Sequence, residues 1–188
     1  MNNSTLEPNS PQLSTACDFN CDKRSGSATV AQVTRRQYRD SALTLPLLGF
    51  GMMRLPKISA DNPAIDYAAV EQMFARALAA GVNYFDTAYF YHEGKSEVCA
   101  GEVLAQYPRD SYYLATKMPV RTLTSEADAE RIFKEQLTRC KTGYFDFYLM
   151  HFLNRDTWQN ATRFKLYDFL RRQQSEGRIG RIGFSFHD

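Results

Sequence analysis

From about Tyr38 onward the chain alternates short apolar runs with longer amphipathic stretches. The runs 43–50 (LTLPLLGF), 82–86 (VNYFD), 112–116 (YYLAT), 145–150 (FDFYLM) and 179–184 (IGRIGF) read as short buried strands. Between them lie helical patterns. Asn62-Pro63 offers an N-cap and a proline at the first helical position. Val70, Met73, Phe74, Ala77 and Leu78 then repeat on one face, and Gly81 supplies the C-cap. A second helix starts at Ser96 and runs past Val103-Leu104. A third has Ser125 as cap with Asp128 three residues on, then Ile132, Phe133 and Leu137. The fourth spans roughly 157–176, with Phe164, Tyr167, Phe169 and Leu170 apolar, and ends at Gly177.

Strict alternation of strands and helices predicts a parallel sheet with right-handed crossovers, an α/β fold. An open doubly wound sheet and a barrel both satisfy the pattern. No G-x-G-x-x-G follows the first strand, which weighs against the dinucleotide-binding open sheet. Residues 1–34 are rich in Ser, Thr, Asn and Pro and poor in large apolar side chains, so they predict a disordered N-terminal extension. The folded part is then 35–188.

Composition changes this picture little. With 188 residues, 44% hydrophobic, 23% charged and a net charge of +2, the chain suits one globular domain and no nucleic-acid partner. No apolar run approaches the roughly 18 residues of a membrane helix, and the polar N-terminus lacks the apolar core of a secretory signal. A cytoplasmic protein is expected. Of the four cysteines only Cys17 and Cys21 lie close together. With no nearby His or third Cys to complete a set, no metal site is expected and reduced thiols are the reading.

The candidate chemistry sits at the strand ends. Asp86 ends the second predicted strand, Lys117 the third and His151 the fourth, while Ser185 and His187 follow the fifth. In a parallel α/β fold all strand C-termini open onto one face, and that face carries the chemistry. Each residue alone has a bland explanation: Asp86 as a cap, Lys117 as a surface lysine, His151 as a structural histidine. Delivered together to one rim, they point to catalysis.

The segments LGFGMMRLP (48–56), FDTAYFYHEGKSE (85–97), ATKMP (115–119), YFDFYLMH (144–151) and GRIGRIGFS (177–185) resemble the aldo-keto reductases in order and spacing. GFGMMRLP and GFSFHD resemble, more narrowly, bacterial members that often carry a C-terminal ferredoxin-like iron–sulfur region. The resemblance implies a (β/α)8 TIM barrel of which about the first five strands and four helices are present, as in a truncated or N-terminal piece. An iron–sulfur cluster would belong only to a further C-terminal region. It implies reduction of an aldehyde or ketone to an alcohol, with NADPH or NADH as cofactor and a small-molecule carbonyl compound as substrate.

By the same resemblance the catalytic tetrad is Asp86, Tyr91, Lys117 and His151. Tyr89 is a rival for Tyr91 that the spacing disfavours. Tyr91 would be the proton donor, Lys117 the cation that favours its phenolate, and Asp86 the anion that holds Lys117 charged. His151 would hydrogen-bond the substrate carbonyl. Gly51, Met52, Asp86 and Ser185 would meet the cofactor, Ser185 at the nicotinamide amide. Gly49 and Gly51 serve either backbone approach to the cofactor or a tight turn, and Met52 and Met53 either the pocket or the core. Phe186 stands where the family commonly has Asn, and His187 is a candidate for polar recognition. Arg171, Arg172, Arg178 and Arg181 form either a phosphate site or a solvated surface. A non-catalytic aldo-keto-reductase-like regulatory protein or inactive remnant is the main alternative, and a Schiff-base aldolase using Lys117 fits less well.

Overall fold

The computed structural model describes residues 31–39 and 41–186. Strands β1 (Arg35–Gln37) and β2 (Thr44–Pro46) form an antiparallel hairpin. There follow β3 (Phe50–Gly51), α1 (Tyr67–Ala79), β4 (Tyr84–Asp86), α2 (Lys95–Leu104) and β5 (Tyr113–Met118). After these come α3 (Glu126–Arg139), β6 (Phe145–Leu153), α4 (Arg155–Arg163), α5 (Leu166–Ser175) and β7 (Ile179–Phe186). Strands β3 to β7 make one parallel sheet whose spatial order is the chain order. A doubly wound sheet reverses its strand order at a switch point; this one does not, and it is part of a barrel wall. Among the described residues no helix is long and apolar enough to cross a membrane.

Side chains alternate across the wall, as the strand period requires. Phe85 of β4 meets Phe74 of α1 with ring centroids 4.6 Å apart, and Tyr148 of β6 meets Phe133 of α3 at 5.1 Å. All four are fully buried. Burial of each such ring contributes about 1.5–3 kcal/mol. On the inner face Tyr84 and Tyr113 converge on Phe147. Tyr38, which follows β1, closes on the same ring edge-to-face at 5.9 Å. Helix α2 crosses the end of α3 closely enough that a Cβ on Gly101 would lie 2.3 Å from the Arg139 carbonyl oxygen.

Four expectations need correction. The run 43–50 is not one strand: Thr44–Pro46 pairs with the unforeseen β1, and only Phe50–Gly51 joins the parallel wall. Pro46 lacks an N–H for a two-sided ladder, which suits an edge position. The first helix is capped by Asp66, whose Oδ1 accepts from the Ala69 N–H, and not by Asn62. Asn62 instead turns a loop, its Oδ1 accepting from Ala64, because the Lys57–Ile65 bridge carries buried Ile65 back to the core first. The helix expected over 157–176 is two, broken where Lys165 adopts φ 48°. The break lets α4 reach the turn after β5 through Asn160, while α5 buries Leu166, Phe169 and Leu170 and leaves Tyr167 exposed. Met73 of the first helix is also exposed, so its apolar stripe is narrower than the periodicity suggests.

Residues 32–34 of the expected extension hydrogen-bond to the body: Gln32 to the Ala79 carbonyl, Val33 to that of Ala80, and the Thr34 carbonyl to Leu47. Residues 1–30 of that extension, with Cys17 and Cys21, lie outside the described residues, as does His187. Cys99 and Cys140 are buried and free.

Candidate active site

Asp86 ends β4, and Lys117 stands near the end of β5 on the same inner face. The Lys117 ammonium is held by three oxygens. It donates to Asp86 Oδ1 at 2.5 Å and to the Thr87 carbonyl at 2.7 Å, and it stands 3.4 Å from the Tyr91 phenol oxygen. Its side chain is 7% exposed. An ammonium so desolvated needs such partners to compensate its burial. The Tyr91 ring lies 5.9 Å from that of His151, edge to face. The structure therefore brings Asp86, Tyr91, Lys117 and His151 to one point. Tyr89 goes elsewhere: its hydroxyl donates to Glu135 of α3, and its ring lies under Arg139.

The chain after Tyr91 is strained. His92, Glu93 and Gly94 take φ of 50°, 57° and 87°, three successive left-handed residues of which only glycine adopts that region freely. Two contacts hold the turn. Gly94 lies against the Arg139 guanidinium. His92 Nε2 accepts from the Leu55 N–H at 3.0 Å, which places the ring proton on Nδ1. Burial first, and then the charge of Lys57, push the His92 pKa below the usual histidine value, so the ring stays a neutral acceptor. Tyr91 is thereby fixed to the loop that follows β3.

Behind the site runs a buried polar network that carries no motif in the sequence. The Ser96 hydroxyl donates to the Met52 carbonyl and shares a hydrogen bond with Thr87, whose carbonyl holds Lys117. Glu97, fully buried, accepts from Thr116, Gln136 and Arg139. Gln136 also donates to the Lys117 carbonyl and accepts from the Tyr148 hydroxyl. Burial pushes the Glu97 carboxyl up, and its three donors pull against that. The one legible signal was polar character at helix positions facing the sheet. Ser96 and Glu97 fall within the quoted segment 85–97, but their partners are remote in sequence.

Other expected residues fare unevenly. A Cβ on Gly51 would meet nothing within 4 Å, so space lies open above the backbone beside Asp86. Gly49 is explained by packing, since a Cβ there would come 3.1 Å from the Tyr84 ring. Met52 is corrected: its side chain is fully buried in the core and its N–H and carbonyl are both engaged, whereas Met53 is exposed. Ser185 Oγ accepts from the Phe152 N–H at 2.7 Å, and Phe186 is exposed. The four arginines do not form one site. Arg181 turns inward over Tyr38 and Phe147, Arg178 pairs with Glu176, Arg172 lies over Phe169 and Arg171 meets Gln174.

A cavity of about 210 Å³ opens beside the cluster, lined by Phe90, Tyr91, Pro119, Arg121, His151 and Phe152. A larger apolar hollow of about 560 Å³ lies at the β7 edge, among Leu153, Trp158, Phe184 and Phe186. It holds none of the four clustered residues.

This wall, with an aspartate, a tyrosine, a lysine and a histidine at its strand ends, agrees with what comparison finds. The family model of the Aldo/keto reductase family matches residues 47–188, and the chain belongs to that family. It is 28% identical over 163 residues to the NADH-specific methylglyoxal reductase of Escherichia coli, covering 75% of this chain and 48% of that protein. It is 31% identical over 126 residues to the uncharacterized oxidoreductase YqkF of Bacillus subtilis, covering 62% and 38%. Among solved structures, the holo form of aldo-keto reductase AKR11C1 from Bacillus halodurans superposes with a TM-score of 0.66 at 27% identity, over 82% of this chain and 51% of that one. The chain thus spans less than half the length of these two curated relatives.

Proposed function

We propose that the chain carries the proton-transfer half of an NAD(P)H-dependent carbonyl reductase, reducing an aldehyde or ketone to an alcohol. The observation that carries this reading is the Lys117 ammonium held between Asp86 and the Tyr91 phenol. When bound, a reduced nicotinamide supplies the hydride that goes to the carbonyl carbon. Gly51, with open space over its backbone, Asp86 and Ser185 are the residues here that would hold it. Met52, buried, is not among them.

Tyr91 passes its phenolic proton to the carbonyl oxygen as that oxygen gains charge. The Lys117 cation stabilises the negative charge left on the phenol oxygen, an effect strengthened where water is excluded. Asp86 and the Thr87 carbonyl keep the ammonium in place and compensate its burial. His151, across the cavity wall from Tyr91, hydrogen-bonds the substrate oxygen and orients it. The same reduction is named for the Escherichia coli relative, on methylglyoxal with NADH.

Tyr91→Phe tests the reading. Oxidation of NADPH or NADH by methylglyoxal and simple aldehydes is followed by absorbance, with cofactor affinity measured separately. The expected result is a loss of turnover of about 10²–10⁴-fold at unchanged cofactor affinity. Full turnover by the Tyr91→Phe chain would assign the proton to another group.

A further inference from the structure

Resting on that reading of the site, we propose that the preferred carbonyl substrate carries an anionic group, carboxylate or phosphate, received by Arg121. The cavity beside Tyr91 has two kinds of wall. Tyr91 and His151 present polar atoms at one side, and Phe90, Pro119 and Phe152 are apolar. Arg121 completes the lining, its guanidinium 4.9 Å from the centroid of the Phe90 ring.

The backbone that carries Arg121 is firmly set. It belongs to the short turn Val120–Thr122, whose Val120 is fully buried. Thr122 bonds twice to the Pro119 carbonyl, through its N–H and its hydroxyl. Asn160 of α4 donates to the Val120 and Leu123 carbonyls. The arginine is therefore presented from a fixed base and laid against an aromatic face, which lowers the entropy lost when it binds.

Among the described residues the charges around the cavity do not cancel. Lys117 is neutralised by Asp86 at 2.5 Å. Among the described residues the cavity lining contains no Asp or Glu. Among the described residues Arg121 enters no ion pair. Among the described residues that leaves the exposed Arg121 guanidinium without an ion-pair partner on the wall of a cleft that also holds the phenol and the imidazole. A guanidinium there can bind carboxylate or phosphate bidentately. A compound with its carbonyl at Tyr91 and His151, its carbon skeleton against Phe90 and Phe152, and its anion at Arg121 matches the polar side, the apolar side and the guanidinium of the described lining.

The test uses the full 188-residue chain with NADP⁺ or NADPH and para-substituted benzaldehydes of similar size. The probes are 4-carboxybenzaldehyde, 4-formylphenyl phosphate and the neutral 4-methylbenzaldehyde. Affinities come from calorimetry, turnover from NADPH oxidation, and folding of each variant from circular dichroism. The chain is expected to bind at least one anionic probe about ten- to a hundred-fold more tightly than the neutral one. The two anionic arms decide between carboxylate and phosphate. In Arg121→Gln that ratio falls to near one, and in Arg121→Lys it is partly kept. Equal affinity for charged and neutral probes, absence of binding by all three, or a ratio unmoved in Arg121→Gln would overturn the proposal. So would a loss confined to NADPH affinity, which would make the anion the cofactor's own. If the affinity ratio follows Arg121 while no aldehyde is reduced, the reductase reading fails and the anion site stands. If the aldehydes are reduced with a ratio indifferent to Arg121, the converse holds.

Discussion

The wall around β4 and β5 and the wall at β7 are built from the same repeating unit, yet they differ in how completely their groups are matched. Around β5 the fully buried Glu97 accepts three hydrogen bonds, Gln136 reaches four partners, and Ser96 and Thr87 satisfy each other. At β7, Phe184 is 63% exposed, and Phe186 and Trp158 are each 57% exposed. Nearby, the buried amide of Gln173 and Nε of Arg178 have no hydrogen-bond partner among the described residues. The difference is one of neighbours. Strand β5 has a strand on each side and two helices behind it, whereas among the described residues β7 pairs only with β6. Parallel wall segments of this kind are ordinarily buried on both faces, so an uncovered one shows apolar surface. Lys117 and Tyr91 therefore rest on the matched region, and Ser185 sits on the edge strand.

Variants can break or sharpen this contrast. The largest stability effect is expected from Arg139→Met, which removes the cation paired with buried Glu97. A loss of about 3 kcal/mol is expected, because a buried carboxylate is left with neutral donors only. The sign with pH follows. Burial already raises the Glu97 carboxyl and Arg139 opposes this, so in the variant the folded chain holds a proton the unfolded chain has released. Stability of the variant then falls as pH rises above the ordinary carboxylate range and recovers on acidification. Urea unfolding at pH 5 and pH 8 measures it; equal losses at both would remove Glu97 from the account.

A smaller effect is expected from His92→Ala, about 1 kcal/mol for the lost acceptor of the Leu55 N–H. The lowered pKa of His92 means that the folded chain resists protonation there, so wild-type stability drops as pH falls below the ordinary histidine range. His92→Gln keeps an acceptor and should lack that dependence. If the wild type and His92→Gln show the same pH profile, the hydrogen bond does not govern the turn. The smallest effects belong to the edge: Trp158→Ser and Phe184→Ser should each change unfolding free energy by no more than about 0.5 kcal/mol. A loss several times larger would mean that these rings are covered in solution.

Four of the five wall strands, the Ser125–Asp128 cap and the rim residues were legible because each is a local pattern. An apolar run bounded by turn residues, a cap with its acidic partner three residues on, and an ionisable residue ending a strand all show within a few positions. What was misread depends on distant partners. Nothing near Asn62 reveals that Ile65 must first bridge to Lys57, and a continuous helical pattern over 157–176 hides the break at Lys165. Met52 and Met53 look alike in sequence, but one fills the core and the other faces outward.

By itself, then, the sequence determined the alternating units and which ionisable side chains arrive at the strand ends, because strand and helix periods are written in neighbouring residues. Only the tertiary structure decided that Lys117 lies between Asp86 and Tyr91, that His92 ties the strained turn to Leu55, and that Arg121 completes the cavity wall. Those are relations between groups some 26 to 37 residues apart in chain or set by cavity shape. They exist only when burial has forced each polar group to find its partner.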